Sequence, residues 1–79
     1  MAHTISVLPE QNGWVVRSAA FENDMVFHSG AKAEAAARRL GEKLAAHGQA
    51  AEIRVILRDG SLAGRFVCAP RNHGLALAG

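Results

Sequence analysis

The chain lacks several features that identify common classes of protein from sequence. Its 79 residues contain one cysteine, two prolines, one tryptophan and no tyrosine. A single cysteine excludes an internal disulfide and, by itself, a cysteine metal framework. No run reaches the ~18 to 20 consecutive apolar residues of a membrane span, and the first residues lack the basic start and apolar stretch of a signal peptide. We therefore expect a soluble cytoplasmic protein.

Length and charge limit the possibilities further. A chain this short has room for one domain, which buries only ~60% of the surface that it exposes when unfolded. Nine basic and seven acidic residues leave a net charge of +2. That balance is unlike a disordered polyelectrolyte, and it is too weak to indicate nucleic-acid binding by itself.

Two apolar runs near the start predict a β-hairpin. Ile5 and Val7 alternate with polar or outward-facing positions, and the pattern resumes after Asn12-Gly13. Asn-Gly between apolar runs favours a type I′ turn, because both of its central residues need positive φ. A shorter apolar run over residues 25–27 indicates a third strand.

The apolar period changes to about 3.6 over residues 31–47, which predicts one amphipathic helix. Its apolar side carries Ala33, Ala36, Ala37, Leu40 and Leu44. Ser29 is the natural N-cap, and Glu34 and Arg38 have the spacing of a helical ion pair. Gly41 inside the helix suggests close packing against the sheet, since glycine otherwise weakens a helix.

Asp59-Gly60 predicts a second hairpin within residues 52–68, with these two residues as the whole turn. The register that such a turn sets places Leu57 opposite Leu62 and gives the hairpin one apolar face, which we expect to be buried. Arginines alternate with apolar residues on its other face.

Several short motifs combine into a family resemblance. They are Gly13-Trp14-x-Val16, Lys32-Ala33-Glu34-Ala35 followed by Arg39-Leu40, Ala51-Glu52-Ile53 and Arg58-Asp59-Gly60-Ser61-Leu62. Over residues 5–67 the chain resembles a small bacterial family known as a domain of unknown function, DUF 2188. The resemblance implies the element order strand, strand, short strand, helix, strand, strand, and it implies no known activity.

Residues that could support catalysis or bind a metal are dispersed. The four histidines fall in four segments without ligand spacing: His3, His28, His47 and His73. Cys68 continues a buried apolar alternation, where a thiol is inert. The seven carboxylates lie on turns, helix surface and strand ends rather than paired in one cleft. We expect no enzyme, no metal and no cofactor.

Trp14, the single indole, has two interpretations. On an exposed strand face it would be a stacking platform for a base or an aromatic ligand. Beneath the helix it would be the main core anchor, and we favour this role because the chain has few other large side chains.

One helix can cover only one face of a four- or five-stranded sheet, so the other face meets water or a partner. The candidate interaction surface on that face consists of Val15, Arg17, Arg54, Ile56, Arg58, Arg65 and Val67. Interleaved basic and apolar residues suit self-association or nucleic-acid binding, and a solvated face without a partner is the third interpretation. Arg54 and Arg65 stand directly opposite each other, and Glu52 is placed to neutralise one of them. We expect the other to stay free for a carboxylate of a second subunit or for a phosphate.

The sequence therefore predicts a two-layer α+β domain over residues 1–68, with one amphipathic helix on a four- to five-stranded, mostly antiparallel sheet, and a flexible tail over residues 69–79. We interpret it as a non-catalytic interaction module that self-associates through the uncovered sheet face. The alternative is a nucleic-acid-binding module that uses the same face, although the lack of exposed aromatic pairs disfavours it. No membrane and no small-molecule substrate are indicated.

Overall fold

Five strands and one helix make up the computed structural model, which describes residues 3–70. The elements are β1 (His3–Glu10), β2 (Gly13–Ser18), β3 (Met25–Phe27), α1 (Gly30–Ala46), β4 (Ala51–Ile56) and β5 (Leu62–Cys68). This arrangement confirms the predicted α+β fold with one helix between two groups of strands. Ala69 and Pro70 follow β5 without regular structure, and residues 71–79 of the predicted tail lie outside the described residues.

The strands form one sheet in the order β3-β2-β1-β4-β5. β1 and β4 pair in parallel at its centre, with Ile5 opposite Ile53, whereas the other three pairings are antiparallel. The sheet is therefore mixed: three of its four pairings are antiparallel, and the parallel central pair was not predicted from the sequence. A parallel pair needs a crossover, and α1 lies within the segment that connects the two strands.

The core lies between α1 and one face of the sheet. Alternate residues of the central strands are fully buried there, with Ile5, Val7, Val16 and Ile53 as the largest. The helix contributes small side chains to this layer, chiefly Ala33 and Ala37. Small residues on the helix let its backbone approach the β-branched side chains of the sheet closely.

The start and the middle of α1 have the features that the sequence predicted. Ser29 is the N-cap, and its hydroxyl accepts a hydrogen bond from the Lys32 amide at 3.1 Å. Glu34 and Arg38 form the predicted ion pair at 3.4 Å. A side chain at Gly41 would lie 3.0 Å from the Cys68 sulfur and 3.1 Å from Ile53 Cδ1. The glycine is therefore explained by close helix–sheet packing, as predicted.

The first hairpin forms, but its predicted turn is wrong. Glu10 pairs with Gly13, so the two turn residues are Gln11 and Asn12. Among residues 3–70 only Gly48 and Gly60 have positive φ, which excludes a type I′ turn at Asn12-Gly13. Gly13 is instead required by close packing, since a Cβ at this position would collide with the carbonyl oxygen of Phe27.

The second hairpin has the predicted register along most of its length and a different turn. The Gly60 amide bonds to the Leu57 carbonyl at 2.9 Å, and Gly60 has φ of 88°. These features define a three-residue loop with an αL glycine. The loop shifts the pairing so that Leu62 faces Ile56 rather than Leu57, and an irregularity between Val55 and Ile56 restores the predicted register.

Several residues predicted to be buried are not fully enclosed. Leu57 and Leu62 are 44% and 52% exposed, because the three-residue loop carries the end of the second hairpin away from the core. Trp14 packs against the core beneath the start of α1, where a Cβ on Gly30 would lie 3.0 Å from its ring, but the side chain is not fully enclosed. Cys68 likewise packs on the core and is half-buried. Both lie near the limits of the area that a single helix covers.

Candidate functional site

The face of the sheet opposite α1, called the open face below, carries the predicted interaction surface. Side chains on this face come from even-numbered residues of β1 and β4 and from odd-numbered residues of β2 and β5, because successive side chains of a strand point to opposite sides. Leu62 is the exception on β5, because the irregularity in the β4–β5 pairing places it opposite Ile56. Strand register arranges these side chains in rows that run across the sheet. Two rows determine the character of the face.

The first row is apolar and lies toward the hairpin turns. Val26, Val15 and Leu8 are aligned across β3, β2 and β1. Ile56 lies one step beyond the paired Val7 and Val55, and it faces Leu62 on β5. We call this set the apolar row: Val26, Val15, Leu8, Ile56 and Leu62.

The members of the apolar row differ in accessibility. Val26 is 74% exposed and Leu62 is 52% exposed at the two ends. Val15 is only 4% exposed between its neighbours, so it supports the row without offering contact area of its own. Exposed apolar side chains at two places on one face are the part of this surface that water solvates least well.

The second row is polar and is built around Arg54. Register aligns Arg17, Ser6, Arg54 and Arg65 across four strands. Arg54 and Arg65 are directly opposite, as the sequence predicted. Like charges in that position repel each other unless a counter-charge lies close.

Glu52 supplies the counter-charge to both arginines. Its Oε1 accepts from Arg54 Nε at 3.0 Å, and its Oε2 accepts from Arg65 Nε. The hydrogen bond from Arg65 is the main cause that lowers the pKa of Glu52 below its ordinary value of 4.5, and the positive charges of Arg54 and Arg65 add to it. The expectation that one arginine stays free is therefore wrong, because one carboxylate binds two guanidinium groups through its two oxygens.

Arg17 is neutralised in a different way. Its Nε lies 3.1 Å and its Nη2 2.8 Å from Asp24 Oδ2 in the turn before β3. This hydrogen-bonded ion pair lowers the pKa of the Asp24 carboxyl and raises that of the Arg17 guanidinium. Of the four predicted surface arginines, three therefore have a carboxylate within contact distance.

Arg58 and Val67 lie at opposite margins of the open face. Arg58 belongs to the turn after β4, and its Nη2 donates to the Glu10 carbonyl at 3.4 Å. It thus borders a hollow of about 410 Å³ beside Leu8 and Ile56. Val67 is 64% exposed on edge strand β5 and lies in register with Glu52, beyond the polar row.

Sequence reasoning missed four contributors to this face. Asp24 and the apolar residues Leu8, Val26 and Leu62 were not assigned to it. Leu8 and Val26 could have been assigned to it once the strand register was known, since each lies directly opposite Val15. Asp24 carried no such signal, because its contact with Arg17 depends on the path of the β2–β3 turn.

The catalytic candidates remain apart in the described part of the chain. No group of three or more His, Cys, Asp or Glu side chains within residues 3–70 is placed to hold a metal ion. Cys68 faces α1 on the side of the sheet opposite Glu52. His73 lies outside the described residues.

Comparisons with other proteins assign neither a family nor a function to this chain. No family model, curated protein or solved structure matches this chain. The resemblance to DUF 2188 therefore stays a prediction. Within residues 3–70, no helix has the length and apolar character needed to cross a bilayer.

Proposed function

We propose that this protein is a non-catalytic interaction module whose open face binds the open face of a second copy. The observation that carries the proposal is the combination of exposed apolar side chains with arginines that are already paired. Val26 and Leu62 offer apolar area, while Glu52 and Asp24 hold their guanidinium partners in place. Apolar patches rimmed by polar residues are typical of protein contact sites.

Charge balance supports a second copy as the partner. A strongly basic face would repel its own duplicate, whereas a face whose charges of both signs nearly balance would not. The open face and its margins combine four arginines with three carboxylates: Arg17, Arg54, Arg58 and Arg65 with Glu10, Asp24 and Glu52. The net charge of this face is therefore small, and like-charge repulsion between two copies is weak.

The pairing of these arginines with carboxylates argues against nucleic-acid binding. A phosphate would have to compete with Glu52 for Arg54 and Arg65, and with Asp24 for Arg17. Exposed aromatic side chains, on which bases commonly stack, are absent from the open face among residues 3–70. Arg58 is the one predicted arginine whose guanidinium bonds to a carbonyl rather than to a carboxylate there.

Sedimentation velocity and native mass spectrometry test the proposal at protein concentrations up to about 1 mM, near the limit of a weak specific complex. We expect a dimer whose population increases with concentration. Ile56→Glu and Val26→Glu should each reduce the dimer fraction, because both place a charge in the apolar row. Val26 is largely exposed, so its variant should keep the parent circular dichroism even if the Ile56 variant fails to fold.

Ala35→Glu is the matched control, since it adds the same charge on the exposed surface of α1. It should leave the dimer fraction unchanged. A parent that stays monomeric over the whole range would contradict the proposal. Titration of a fluorescein-labelled twelve-nucleotide oligothymidine examines the alternative: affinity that falls steeply with salt and weakens in Arg54→Ala would replace self-association by nucleic-acid binding.

A further inference from the structure

A groove on the other side of the molecule has no role in the open-face contact. It runs along α1 where the helix lies next to β3 and the β2–β3 turn. Two adjoining hollows of about 420 Å³ and 200 Å³ form it, and they share Leu40 and Lys43 as lining residues. Met25 lines the larger hollow, and Phe21 lines the smaller one.

The groove results from a mismatch between the helix and the sheet. β3 has three residues, whereas neighbouring β2 has six, so the sheet ends before it covers the whole flank of α1. Leu40 and Leu44 consequently remain only partly buried. The smaller hollow is lined almost entirely by apolar atoms, which come from these leucines, Phe21, Lys43 and His47.

The rim of the groove is basic. Arg39 and Lys43 line it, and neither has a carboxylate within 4.0 Å among the residues that the structure describes. Glu42 is the acidic residue in the lining, so two cations stand against one carboxylate. An apolar floor with a net positive rim complements a ligand that has apolar anchors and negative charge.

We infer that this groove binds an acidic amphipathic helix of a partner protein. A helix places side chains at i and i+4 next to each other on one face, about 5 to 6 Å apart at Cβ, which suits two adjoining hollows. The lining of the groove extends from Ala36 to His47 along α1, roughly 16 Å at the rise of an α-helix. Acidic residues on the flanks of the bound helix would meet Arg39 and Lys43.

Two features favour a helix over a small molecule or over this chain's own tail. Both hollows are partly open to solvent rather than enclosed, whereas small-molecule sites bury most of their ligand's surface. Residues 71–79 contain Arg71 and no acidic side chain, so they have the wrong charge for this rim. An acidic partner helix satisfies both the shape and the charge.

Fluorescence anisotropy with two labelled synthetic peptides provides the test. Both peptides carry leucines at positions i and i+4 of a stabilised twelve-residue helix, and their remaining positions are rich in Glu in one and in Lys in the other. We expect the Glu peptide to bind and to shift the NMR methyl signals of Met25, Leu40 and Leu44. The Lys peptide should bind at least about fivefold more weakly, as a surface charge contact predicts.

Charge reversal on the helix then locates the site. Lys43→Glu should weaken binding of the Glu peptide about fivefold, whereas Lys32→Glu, the same change near the start of α1, should leave it unchanged. Equal affinity for both peptides, equal effects of the two variants, or no binding at millimolar protein would each overturn the inference.

Two further outcomes would assign the groove to another occupant. If the double variant Leu75→Ser/Leu77→Ser shifts the methyl signals of the groove residues in the absence of peptide, the chain's own tail occupies the groove. If those signals depend on protein concentration and the dependence persists in Val26→Glu, a second copy occupies it. Binding of the Glu peptide by the Val26→Glu variant would separate this groove from the open-face contact.

Discussion

Glu52 shows how one side chain determines the character of a surface. It is the one buried charged residue among residues 3–70, yet both of its oxygens have guanidinium partners. Burial of a carboxylate is unfavourable unless it is paired and hydrogen-bonded, and here the pairing also relieves the repulsion between Arg54 and Arg65. A surface that looks strongly basic in sequence is therefore close to neutral in the fold.

Replacing Glu52 with Gln should lower the free energy of unfolding at neutral pH, because it leaves two facing guanidinium groups without a counter-charge. The pKa of Glu52 is lowered in the folded state, so its contribution is present above the ordinary value of 4.5 and is lost as the pH falls through the folded value. Urea unfolding of parent and variant at pH 7 and pH 3 should show a difference that shrinks at the lower pH.

Glu42→Gln makes the matched comparison for this prediction, since it removes the same charge from an exposed position on α1 that has no cation within 4.0 Å among residues 3–70. Its effect should be small at both pH values. A Glu52→Gln variant as stable as the parent at pH 7 would mean that the cluster does not stabilise the fold.

Gly13 is constrained by a neighbouring backbone rather than by its own φ. Gly13→Ala should destabilise the protein by about 1 to 3 kcal/mol, the usual cost of overpacking, because the new methyl group collides with the Phe27 carbonyl. Gly64→Ala is the control, with ordinary contact to the Phe66 ring at 3.7 Å. Equal unfolding midpoints in urea for the two variants would contradict this explanation.

At the scale of elements, α1 is the best-specified part of the chain. Its apolar period, its cap and its ion pair were all readable from sequence, because each depends on residues within one or two turns. The hairpins were less readable. Their existence followed from local pattern, but the turn geometry depended on contacts with β3 in one case and on a shifted register in the other.

Ser29→Ala should cost about 1 kcal/mol of stability, because the Lys32 amide loses its side-chain acceptor at the start of α1. Ser29→Asp keeps an acceptor in the same place and adds a negative charge at the positive end of the helix, so it should be as stable as the parent or more so. Thermal unfolding followed by circular dichroism measures both. An equal loss of stability in the two variants would indicate that the N-cap does not act through this hydrogen bond.

At the scale of the whole molecule, one helix divides the sheet into two different surfaces. The covered face holds the core, and the open face leaves apolar and paired charged residues available to a partner. The apolar area that so small a domain can bury by itself is limited. Self-association through the open face would therefore add burial that the monomer lacks.

If self-association stabilises the fold, the melting temperature should depend on protein concentration. If the open faces pair, the melting temperature of the parent should rise by roughly 2 to 5 °C for each tenfold increase in protein concentration. In Val26→Glu it should stay constant. Differential scanning calorimetry over two decades of concentration gives the comparison, and a constant value for the parent would argue against a dimer that stabilises the fold.

The sequence by itself determined the helix and strands, their order along the chain, and the register that places Arg54 opposite Arg65. Periodicity and hairpin register are properties of nearby residues. The sequence also placed the predicted strand residues of the candidate surface on the open face. Tertiary structure alone decided the parallel pairing of β1 with β4 and the burial of Val15. It likewise brought Asp24 to Arg17 and shared Glu52 between two arginines, since these depend on strand order, turn path and side-chain conformation rather than on local pattern.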